Sequence, residues 1–326
     1  MAANFPVWLN ADKCPEKIAI AVSGGADSIA LLHVLAEKQQ ANQQQIVALT
    51  VDHGLRADSA HEAQMVAQFC AGKNIEHHIL NWNDAKPQTG LQSKAAKARR
   101  TLLIAKCREL GITDLYLAHQ ADDQAETLLQ RLARGAGVQG LRGMQEMILQ
   151  DGVTIRRPLL QVRRADLRRY CEMHQLPFVD DPSNENTKFE RIRWRKTLGQ
   201  MEGVYSGFVT GLLRSQKRFD ATAQAMAQLA QRWIAQHRIA HNDQIILPHA
   251  LLAQEPQALI VEILRQLMVT EKRYKADLER LEDWVAQAFS AAPQETALTL
   301  DGWWLRLTTD KLTLQTAPAR RFKAGT

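Results

Sequence analysis

An apolar run that breaks into two adjacent glycines is the feature of this sequence that most restricts its fold. Residues 18–32 read IAIAVSGGADSIALL. The segment from Ile18 to Val22 predicts a buried strand, and the apolar residues that follow Ser28 recur at helical spacing. A strand joined to a helix by a short glycine-rich turn is typical of a parallel sheet whose turn binds a ligand.

The same strand–helix unit recurs along the first half of the chain. Strands are predicted at residues 18–22, 46–51, 76–80 and 114–118, and helices at residues 28–36, 59–72, 91–110 and 121–134. The second strand is apolar throughout, as strands buried on both faces are. Alternating units of this length predict an α/β fold with a doubly wound parallel sheet.

The alternation stops after residue 156, which predicts a second domain. A helix at 164–175 is followed by a segment that we expect to be irregular as far as Lys196, and glycines at 203, 207 and 211 are typical of a linker. Helices are predicted at 215–237, 256–269 and 275–290, and then a small β-meander with an Asp301–Gly302 turn. We therefore predict a larger domain at residues 1–214 and a smaller helical domain at residues 215–326.

The charge and composition favour a cytoplasmic protein with an anionic partner. The formal net charge is +6, and residues 94–108 carry six basic residues and no acidic one. No apolar stretch approaches the roughly 20 residues that span a bilayer, and the first residues lack a secretory signal. The four cysteines are scattered without a CxxC pair, and Cys70, Cys107 and Cys171, which lie in apolar helical patterns, are predicted to be buried free thiols.

The glycine turn predicts a phosphate-binding cradle with a cation beside it. Glycines let the backbone approach a ligand closely, and the N–H groups at the start of the following helix favour an anion. The turn lacks the Gly-Lys-Ser/Thr ending of a Walker A loop, and its aspartate suits Mg²⁺ held between a carboxylate and phosphate oxygens. The cradle residues are Ser23, Gly24, Gly25, Ala26, Asp27 and Ser28.

Two further polar segments follow strands and therefore reach the same edge of the sheet. TVDHGLRADS follows the second strand and brings Asp52 and His53 toward the cradle. AHQADDQAET follows the fourth strand, and His119, Asp123 and Glu126 recur there at spacings of four and three. One face of a helix can present all three side chains.

Together these segments resemble the motifs of the tRNA(Ile)-lysidine synthases, which belong to the PP-loop class of ATP pyrophosphatases. The similar stretches are SGGADS, VDHGLR, HQADDQAET with RGAGVQGLRGM, and DDPSN followed by ERIRWR, within residues 18–198. The resemblance implies that ATP adenylates the C2 carbonyl of the wobble cytidine in tRNA(Ile) with anticodon CAU. Free L-lysine would then displace AMP through its ε-amine, which leaves lysidine, AMP and pyrophosphate.

The resemblance also implies roles for single residues. The cradle, Asp52 and His53 would bind ATP, and Asp27 and Asp123 would hold Mg²⁺. His119 and Glu126 would line the pocket for cytidine and lysine, where Glu126 steers the ammonium or takes its proton; the alternative for Glu126 is a helix-dipole partner. Arg100 is a candidate phosphate contact or a solvated side chain. Gln120 and Lys97 depart from the family pattern, which usually has histidine and arginine there.

The basic side chains near the presumed pocket are candidate tRNA contacts. They are Arg131, Arg134, Arg142, Arg191, Arg193 and Arg195. The last three either contact RNA or form the exposed side of a helix or strand. The domain at residues 215–326 is predicted to bind the rest of the tRNA. The oligomeric state stays open, with a homodimer among the alternatives, and no membrane partner is expected.

Other functions could use the same ATP-binding turn. A tRNA thiolation enzyme would need a cysteine pair or a bound cluster, which the scattered cysteines argue against. A small-molecule amide-forming ligase would explain SGGADS but not the VDHGLR and DDPSN segments or the basic stretches. A non-enzymatic RNA-binding protein would explain the charge alone but not Asp27 and Asp123.

Overall fold

A computed structural model of the chain describes residues 15–42, 45–52, 54, 59–83, 91–180, 190–242, 244–269, 278–290 and 295–317. The chain divides into two compact units, residues 1–218 and residues 219–326. Within the described ranges, no helix is both long and apolar enough to cross a membrane.

A six-stranded sheet forms the centre of the first unit. In chain order its strands are β1 Lys17–Ala21, β2 Gln45–Asp52, β3 Glu76–Asn81, β4 Asp114–Tyr116, β5 Met147–Gln150 and β6 Val153–Arg156. Their order across the sheet is β3-β2-β1-β4-β6-β5, and all neighbours are parallel except the antiparallel pair β5 and β6. The predicted α/β fold with a doubly wound parallel sheet is confirmed.

The hairpin of β5 and β6 was not predicted from the sequence. Both strands have four residues, and Asp151 and Gly152 between them adopt positive φ angles of 49° and 82°. Such a turn is typical of a two-residue hairpin. The hairpin adds an antiparallel edge strand to an otherwise parallel sheet.

Helices cover both faces of this sheet. They are α1 Ala26–Asn42, α2 Ser59–Gly72, α3 Leu91–Glu109, α4 Ala121–Leu132, α5 Val138–Leu141, α6 Arg164–Met173, α7 Glu190–Val204 and α8 Phe208–His237, the last of which continues into the second unit. Leu31 of α1, Val66 of α2 and Leu167 of α6 belong to one buried cluster with Ile20 of β1. Leu103 of α3 belongs to a second cluster. Burial from both sides explains the continuous apolar strands.

Two expectations for residues 190–214 are wrong. The segment expected to be irregular as far as Lys196 is helical from Glu190, and the expected glycine linker is mostly helix, since α7 extends to Val204 and α8 begins at Phe208. A buried cluster accounts for this, because α7 and α8 pack apolar side chains against α4. Its buried members are Ala121, Ala125, Leu198, Val209 and Leu213. This burial offsets the cost of about 1 kcal/mol for each helical glycine.

The second unit packs helices on one face of a five-stranded antiparallel sheet. Its further helices are α9 His249–Leu252, α10 Gln257–Val269 and α11 Leu278–Ala288, and its strands are β7 Ile239–His241, β8 Gln244–Pro248, β9 Thr296–Leu300, β10 Trp303–Leu307 and β11 Lys311–Thr316. The strand order is β7-β8-β11-β10-β9. The predicted meander is present as β9, β10 and β11, and the hairpin of β7 and β8, which was not predicted, extends it.

We expect Leu115→Ala to lower the free energy of unfolding by about 2–5 kcal/mol, because the side chain is fully buried and its loss leaves a cavity. Leu149→Ala is the control, since Leu149 is 75% exposed on the edge strand β5; we expect a change within about 0.5 kcal/mol. Urea unfolding followed by circular dichroism measures both. Equal losses would contradict the core described here.

Candidate functional site

The turn between β1 and α1 has the geometry of an anion cradle. Gly24 adopts a φ of +83°, and an added Cβ would lie 3.3 Å from its nearest side-chain neighbour. Ser28 Oγ accepts a hydrogen bond from Ser23 N at 3.1 Å and donates one to Gly25 O at 2.9 Å. Among the described residues, no atom accepts a hydrogen bond from the backbone N–H groups of residues 24–27. These donors are therefore available to phosphate oxygens.

The order of the strands places this turn beside α4. The chain runs from β1 outward to β2 and β3, and it returns to β4 on the other side of β1. Ala19 of β1 lies opposite Leu115 of β4 in register. A reversal of this kind opens a crevice at the carboxyl ends of the two strands, where α/β proteins bind ligands. The start of α1 and the start of α4 face this crevice.

A capping box fixes the start of α4. Gln120 Oε1 accepts hydrogen bonds from Asp122 N at 2.5 Å and Asp123 N at 3.3 Å. In return, Asp123 Oδ2 accepts one from Gln120 N at 3.2 Å. These bonds satisfy N–H groups that a helix start leaves without partners. The glutamine that departs from the family pattern therefore has a structural role as N-cap.

Three arginines converge on Asp123 and Glu126, which both project from α4. Arg164 Nη2 lies 3.0 Å from Asp123 Oδ1 and 3.4 Å from Glu126 Oε1. Arg191 Nη2 lies 2.7 Å from Asp123 Oδ1, and its Nε lies 2.8 Å from Glu126 Oε2. Arg195 Nε lies 3.1 Å from Glu126 Oε1. We call these five residues the carboxylate–arginine cluster. Both carboxylates are buried, with side-chain exposures of 9% and 3%.

The pKa of Asp123 reflects this pairing. Burial alone would raise the pKa of the carboxyl group, but Arg191 and then Arg164 lower it below its ordinary value. Asp123 is therefore ionised at neutral pH. Its Oδ1 faces two guanidinium groups and its Oδ2 faces the N–H of Gln120. It can offer Oδ1 to a metal ion only if an arginine moves away.

Asp27 stands apart from the cluster and has an unused ligand atom. Its Oδ1 is buried and has no hydrogen-bond partner in the described part of the chain. Its Oδ2 lies 4.0 Å from Arg164 Nε. Burial raises the pKa of Asp27 to about 6, repulsion from Asp123 adds to the shift, and Arg164 opposes it. The nearby side chain of Gln120 also lowers the pKa of Asp27, but its geometry gives Oδ1 no hydrogen bond. A buried carboxylate oxygen in this state suits a cation ligand, so Asp27 fits Mg²⁺.

No cluster of three or more His, Cys, Asp or Glu side chains that could hold a metal occurs among the described residues. A magnesium ion at Asp27 would therefore need phosphate oxygens and water as its other ligands, which is how Mg²⁺ usually binds with nucleotides. Asp52 Oδ1 accepts a hydrogen bond from Gly54 N at 2.8 Å and so shapes its own turn. His53 lies outside the described residues, as do residues 181–189 with the DPSN segment.

His119 is held as a neutral imidazole. Burial lowers its pKa to about 4 against the opposing effect of Asp123, and Arg157, Arg191 and Arg99 lower it further. Its Nδ1 is buried and has no hydrogen-bond partner among the described residues. A neutral ring with an unused nitrogen can donate to or accept from a substrate base.

The arginines predicted as tRNA contacts are dispersed. Arg131 Nη1 donates to the carbonyls of Gly140 at 2.6 Å and Gly143 at 3.2 Å, and so braces the glycine-rich loop after α4. Arg134 pairs with Glu190 at 2.7 Å on the surface. Arg142 Nη2 donates to a glutamine side chain at 3.3 Å. These residues stay predictions as RNA contacts.

Helix α7 separates the other three candidates. Arg191 and Arg195 are four residues apart on one face and enter the carboxylate–arginine cluster. Arg193 lies between them in sequence and is exposed, because a helix turns it to the opposite side. The sequence left two alternatives for these three arginines, RNA contacts or an exposed helix face. The exposed face applies to Arg193, whereas Arg191 and Arg195 pair with buried carboxylates.

Arginines that the sequence did not single out contribute to the site. Arg164 is the first residue of α6 and belongs to the cluster. Arg99 on α3 acts electrostatically on His119, whereas Arg100, the candidate phosphate contact, acts on Arg157. The signal for Arg164 was the basic run RRADLRR after RRPLL. The role of Arg164 depends on where α6 packs, and the sequence RRADLRR does not show this.

Comparisons with known proteins agree with the motifs. A family model described as a PP-loop domain matches residues 4–202. The tRNA(Ile)-lysidine synthase of Rhodopseudomonas palustris is 35% identical over 321 residues, which cover 95% of this chain and 93% of that protein. The tRNA(Ile)-lysidine synthase of a Methylobacterium species is 34% identical over 328 residues, with 98% and 94% covered. The chain belongs to the tRNA(Ile)-lysidine synthase family.

The lysidine synthase family consists of ATP-using enzymes of the PP-loop class, so the predicted family and enzyme class are confirmed. Among solved structures, the U34-tRNA thiolase NcsA from Methanococcus maripaludis, with its [4Fe-4S] cluster, is similar with a TM-score of 0.55. The two chains are 20% identical, over 63% of this chain and 72% of that one. This likeness shows a shared fold.

In this member of the lysidine synthase family, we expect His119 to make stability depend on pH. Its pKa is about 4 in the folded protein, against 6.5 for an ordinary histidine. As pH falls through this window the unfolded chain binds a proton that the folded chain does not, so the free energy of unfolding decreases. His119→Gln should remove this part of the decrease, as measured by urea unfolding at several pH values. An identical pH dependence in both proteins would contradict a buried neutral His119.

Proposed function

We propose that this protein ligates free L-lysine to C2 of the wobble cytidine in tRNA(Ile) with anticodon CAU. AMP is first transferred from ATP to the cytidine O2, with release of pyrophosphate. The ε-amine of lysine then forms a bond to C2, and AMP leaves with the oxygen. The main support is the meeting of the phosphate cradle, Asp27 and the buried pair Asp123 and Glu126 at one edge of the sheet. Its substrates occur together in the cytoplasm, where we expect it to act.

The cradle residues 23–28 bind ATP through backbone N–H groups and the Ser23 hydroxyl, while the Ser28 hydroxyl, which donates to Gly25 O, keeps the turn in shape. Asp27 holds Mg²⁺, which, when bound, neutralises charge on the separating pyrophosphate. Asp123 is a second ligand if an arginine turns away from it. Arg164, whose Nε lies 4.0 Å from Asp27 Oδ2, contacts phosphate oxygens, as is expected of guanidinium groups in phosphoryl transfer.

The carboxylate of Glu126 receives the lysine. A buried carboxylate attracts the ε-ammonium and orients it toward C2, and the amine attacks only after a proton leaves, since the ammonium has no lone pair. His119, neutral and with a buried unused Nδ1, hydrogen-bonds the extruded cytidine base. Extrusion of the base is required because C2 of a stacked cytidine is out of reach of the site.

The tRNA binds through basic and aromatic side chains on the surface. Exposed Arg193 on α7 and Arg134 in the turn after α4 contact phosphates, which carry most of the affinity of such interfaces. In the second unit, the strands β7–β11 contain no Asp or Glu. The face of β10 that does not pack on the helices carries the half-buried Trp304 and the exposed Arg306, and Trp304 lies opposite Thr299 and Gln315.

This face of the second sheet suits unpaired nucleotides, because bases stack on exposed aromatic rings and phosphates pair with arginine. Arg306 Nη2 lies 3.7 Å from Glu295 Oε2, a long surface contact that RNA can displace. We therefore propose that residues 215–326 form a tRNA-binding domain.

The alternative of tRNA thiolation has no support among the described residues. Cys70, Cys107 and Cys171 are buried, and burial raises their pKa values to about 11, 12 and 11. Thiols in this state are poor nucleophiles. They lie on three different helices, α2, α3 and α6, and Cys171 Sγ donates a hydrogen bond to Ala26 O at 3.3 Å. Cys14 lies outside the described residues.

The deciding experiment is incorporation of labelled lysine into a tRNA(Ile) transcript with anticodon CAU, with and without ATP. We expect ATP-dependent, alkali-stable label in this transcript and none in a methionine tRNA with the same anticodon. Pyrophosphate release without lysine label would leave adenylation standing and contradict lysine as the nucleophile.

We expect Asp27→Asn to abolish tRNA-dependent pyrophosphate release and to leave tRNA affinity largely unchanged, because Asp27 serves ATP and Mg²⁺ and not the RNA. Filter binding and a pyrophosphate assay measure the two quantities. A parallel loss of both would show that the proposed division of labour is wrong.

Trp304→Ala should weaken tRNA binding about fivefold to a hundredfold, the range expected for one lost base-stacking contact. The control is Leu229→Ala, which removes a 47% exposed apolar side chain from α8 in the same unit. Affinity for an ATP analogue should stay unchanged in both variants. An unchanged tRNA affinity of the Trp304 variant would contradict the stacking surface.

A further inference from the structure

The acceptor that lysine needs is already occupied in the structure. Glu126 Oε1 accepts hydrogen bonds from Arg195 at 3.1 Å and Arg164 at 3.4 Å, and its Oε2 accepts one from Arg191 at 2.8 Å. Asp123 accepts from Arg164, Arg191 and Gln120. Both acceptor positions of Oε1 are therefore taken, and an incoming ammonium group can pair with this oxygen only if a guanidinium group leaves.

The balance of charge shows why lysine alone cannot displace an arginine without a large free-energy cost. Three guanidinium groups face the carboxylates of Asp27, Asp123 and Glu126. A lysine ammonium would add one positive charge to this buried group without a counter-charge, and an uncompensated charge in a buried site is costly. The triphosphate of ATP supplies negative charge at the adjoining cradle. When ATP occupies the cradle, its negative charge therefore offsets the positive charge that the lysine ammonium adds.

Arg164 is the residue that connects the two places. Its Nη2 touches Asp123 and Glu126, and its Nε lies 4.0 Å from Asp27 at the end of the cradle. Of the three arginines in the cluster, it is the one with an ion pair to Asp27 in the described structure. It is also the first residue of α6, after a loop, so its side chain can turn without moving the sheet.

A small open cleft next to Glu126 gives the lysine a place to enter. It is lined by Glu126, Thr127, Gln130, Arg191 and Trp194. The carboxylate at one wall, the guanidinium at another and the flat indole suit an amino acid with a long cationic side chain. The cleft lies between α4 and α7, on the cluster itself.

We propose that Arg164 is a positioning residue that makes lysine binding depend on ATP. Without ATP it pairs with Asp123 and Glu126; with ATP in the cradle it turns to the phosphates and leaves Glu126 Oε1 to the lysine ammonium. Lysine therefore binds more tightly when ATP is bound. This inference rests on the proposed function and adds to it the coupling between the two substrates and the residue that produces it.

Calorimetric titration of the full-length protein with L-lysine tests the coupling without any turnover. It is run with and without α,β-methylene-ATP and Mg²⁺. For the wild-type protein we expect the analogue to raise lysine affinity about tenfold or more, within the usual range of coupling between two sites. By reciprocity, lysine must raise the affinity for the analogue by the same factor.

Arg164→Met should bind lysine about equally well with and without the analogue, because the guanidinium that blocks Glu126 is gone. Arg164→Lys keeps the charge but loses the forked geometry, so intermediate coupling is expected. The matched control is Arg168→Met, one turn further along α6, whose side chain pairs with Asp180 and Glu172 on the surface. This control should keep the wild-type coupling. Circular dichroism checks that each variant is folded, and if the Met variant is not, the Lys variant decides.

Three results separate the possible failures. Wild-type lysine affinity that is independent of the analogue, together with intact lysidine formation, would overturn the coupling and leave the proposed function standing. Wild-type coupling retained in the Arg164 variants would overturn the role of Arg164. Absence of lysine binding in every condition, together with absence of lysine label in the tRNA, would overturn the proposed function itself.

Discussion

The first unit depends on the neutralisation of two carboxylates inside it. Asp123 and Glu126 are almost completely buried, and moving an ionised carboxylate out of water costs several kcal/mol unless opposite charges meet it. Arg164, Arg191 and Arg195 supply these charges from two other helices. The cluster therefore holds α4, α6 and α7 together, and it also sets the chemistry available in the crevice. Stability and function share the same ion pairs.

The parallel sheet determines where this cluster meets the nucleotide site. β1 and β4 are neighbours although two strands separate them in the chain, so the turn after β1 and the helix after β4 open onto one crevice. The free N–H groups at the start of α1 attract anions, and Arg164 of the cluster lies 4.0 Å from Asp27 beside them. An enzyme that must bring a polyanion and a cationic amine together needs this proximity of opposite charges.

Local patterns predicted most of the first unit. The helix at 59–72 agrees with α2, and the apolar strands agree with β1 to β3 within two residues at each end. The misses have physical reasons. β5 and β6 are four residues long, too short for periodicity to reveal, and α7 contains glycines whose cost is offset by packing of its apolar side chains on α4. Long-range burial overrode local propensity in both segments.

The sequence by itself determined the fold class, the phosphate cradle and the family, because each depends on residues close together in the chain. It also predicted that Asp123 and Glu126 share a helical face, since their spacing matches the helical period. The expectation that His119 lies on the same helix is wrong, because α4 begins after the N-cap Gln120. Only the tertiary structure decided which of the many arginines enter the site. Arg164 and Arg191 are about 40 and 70 residues from their carboxylate partners, and an ion pair over that distance along the chain exists only after the helices that carry it have packed.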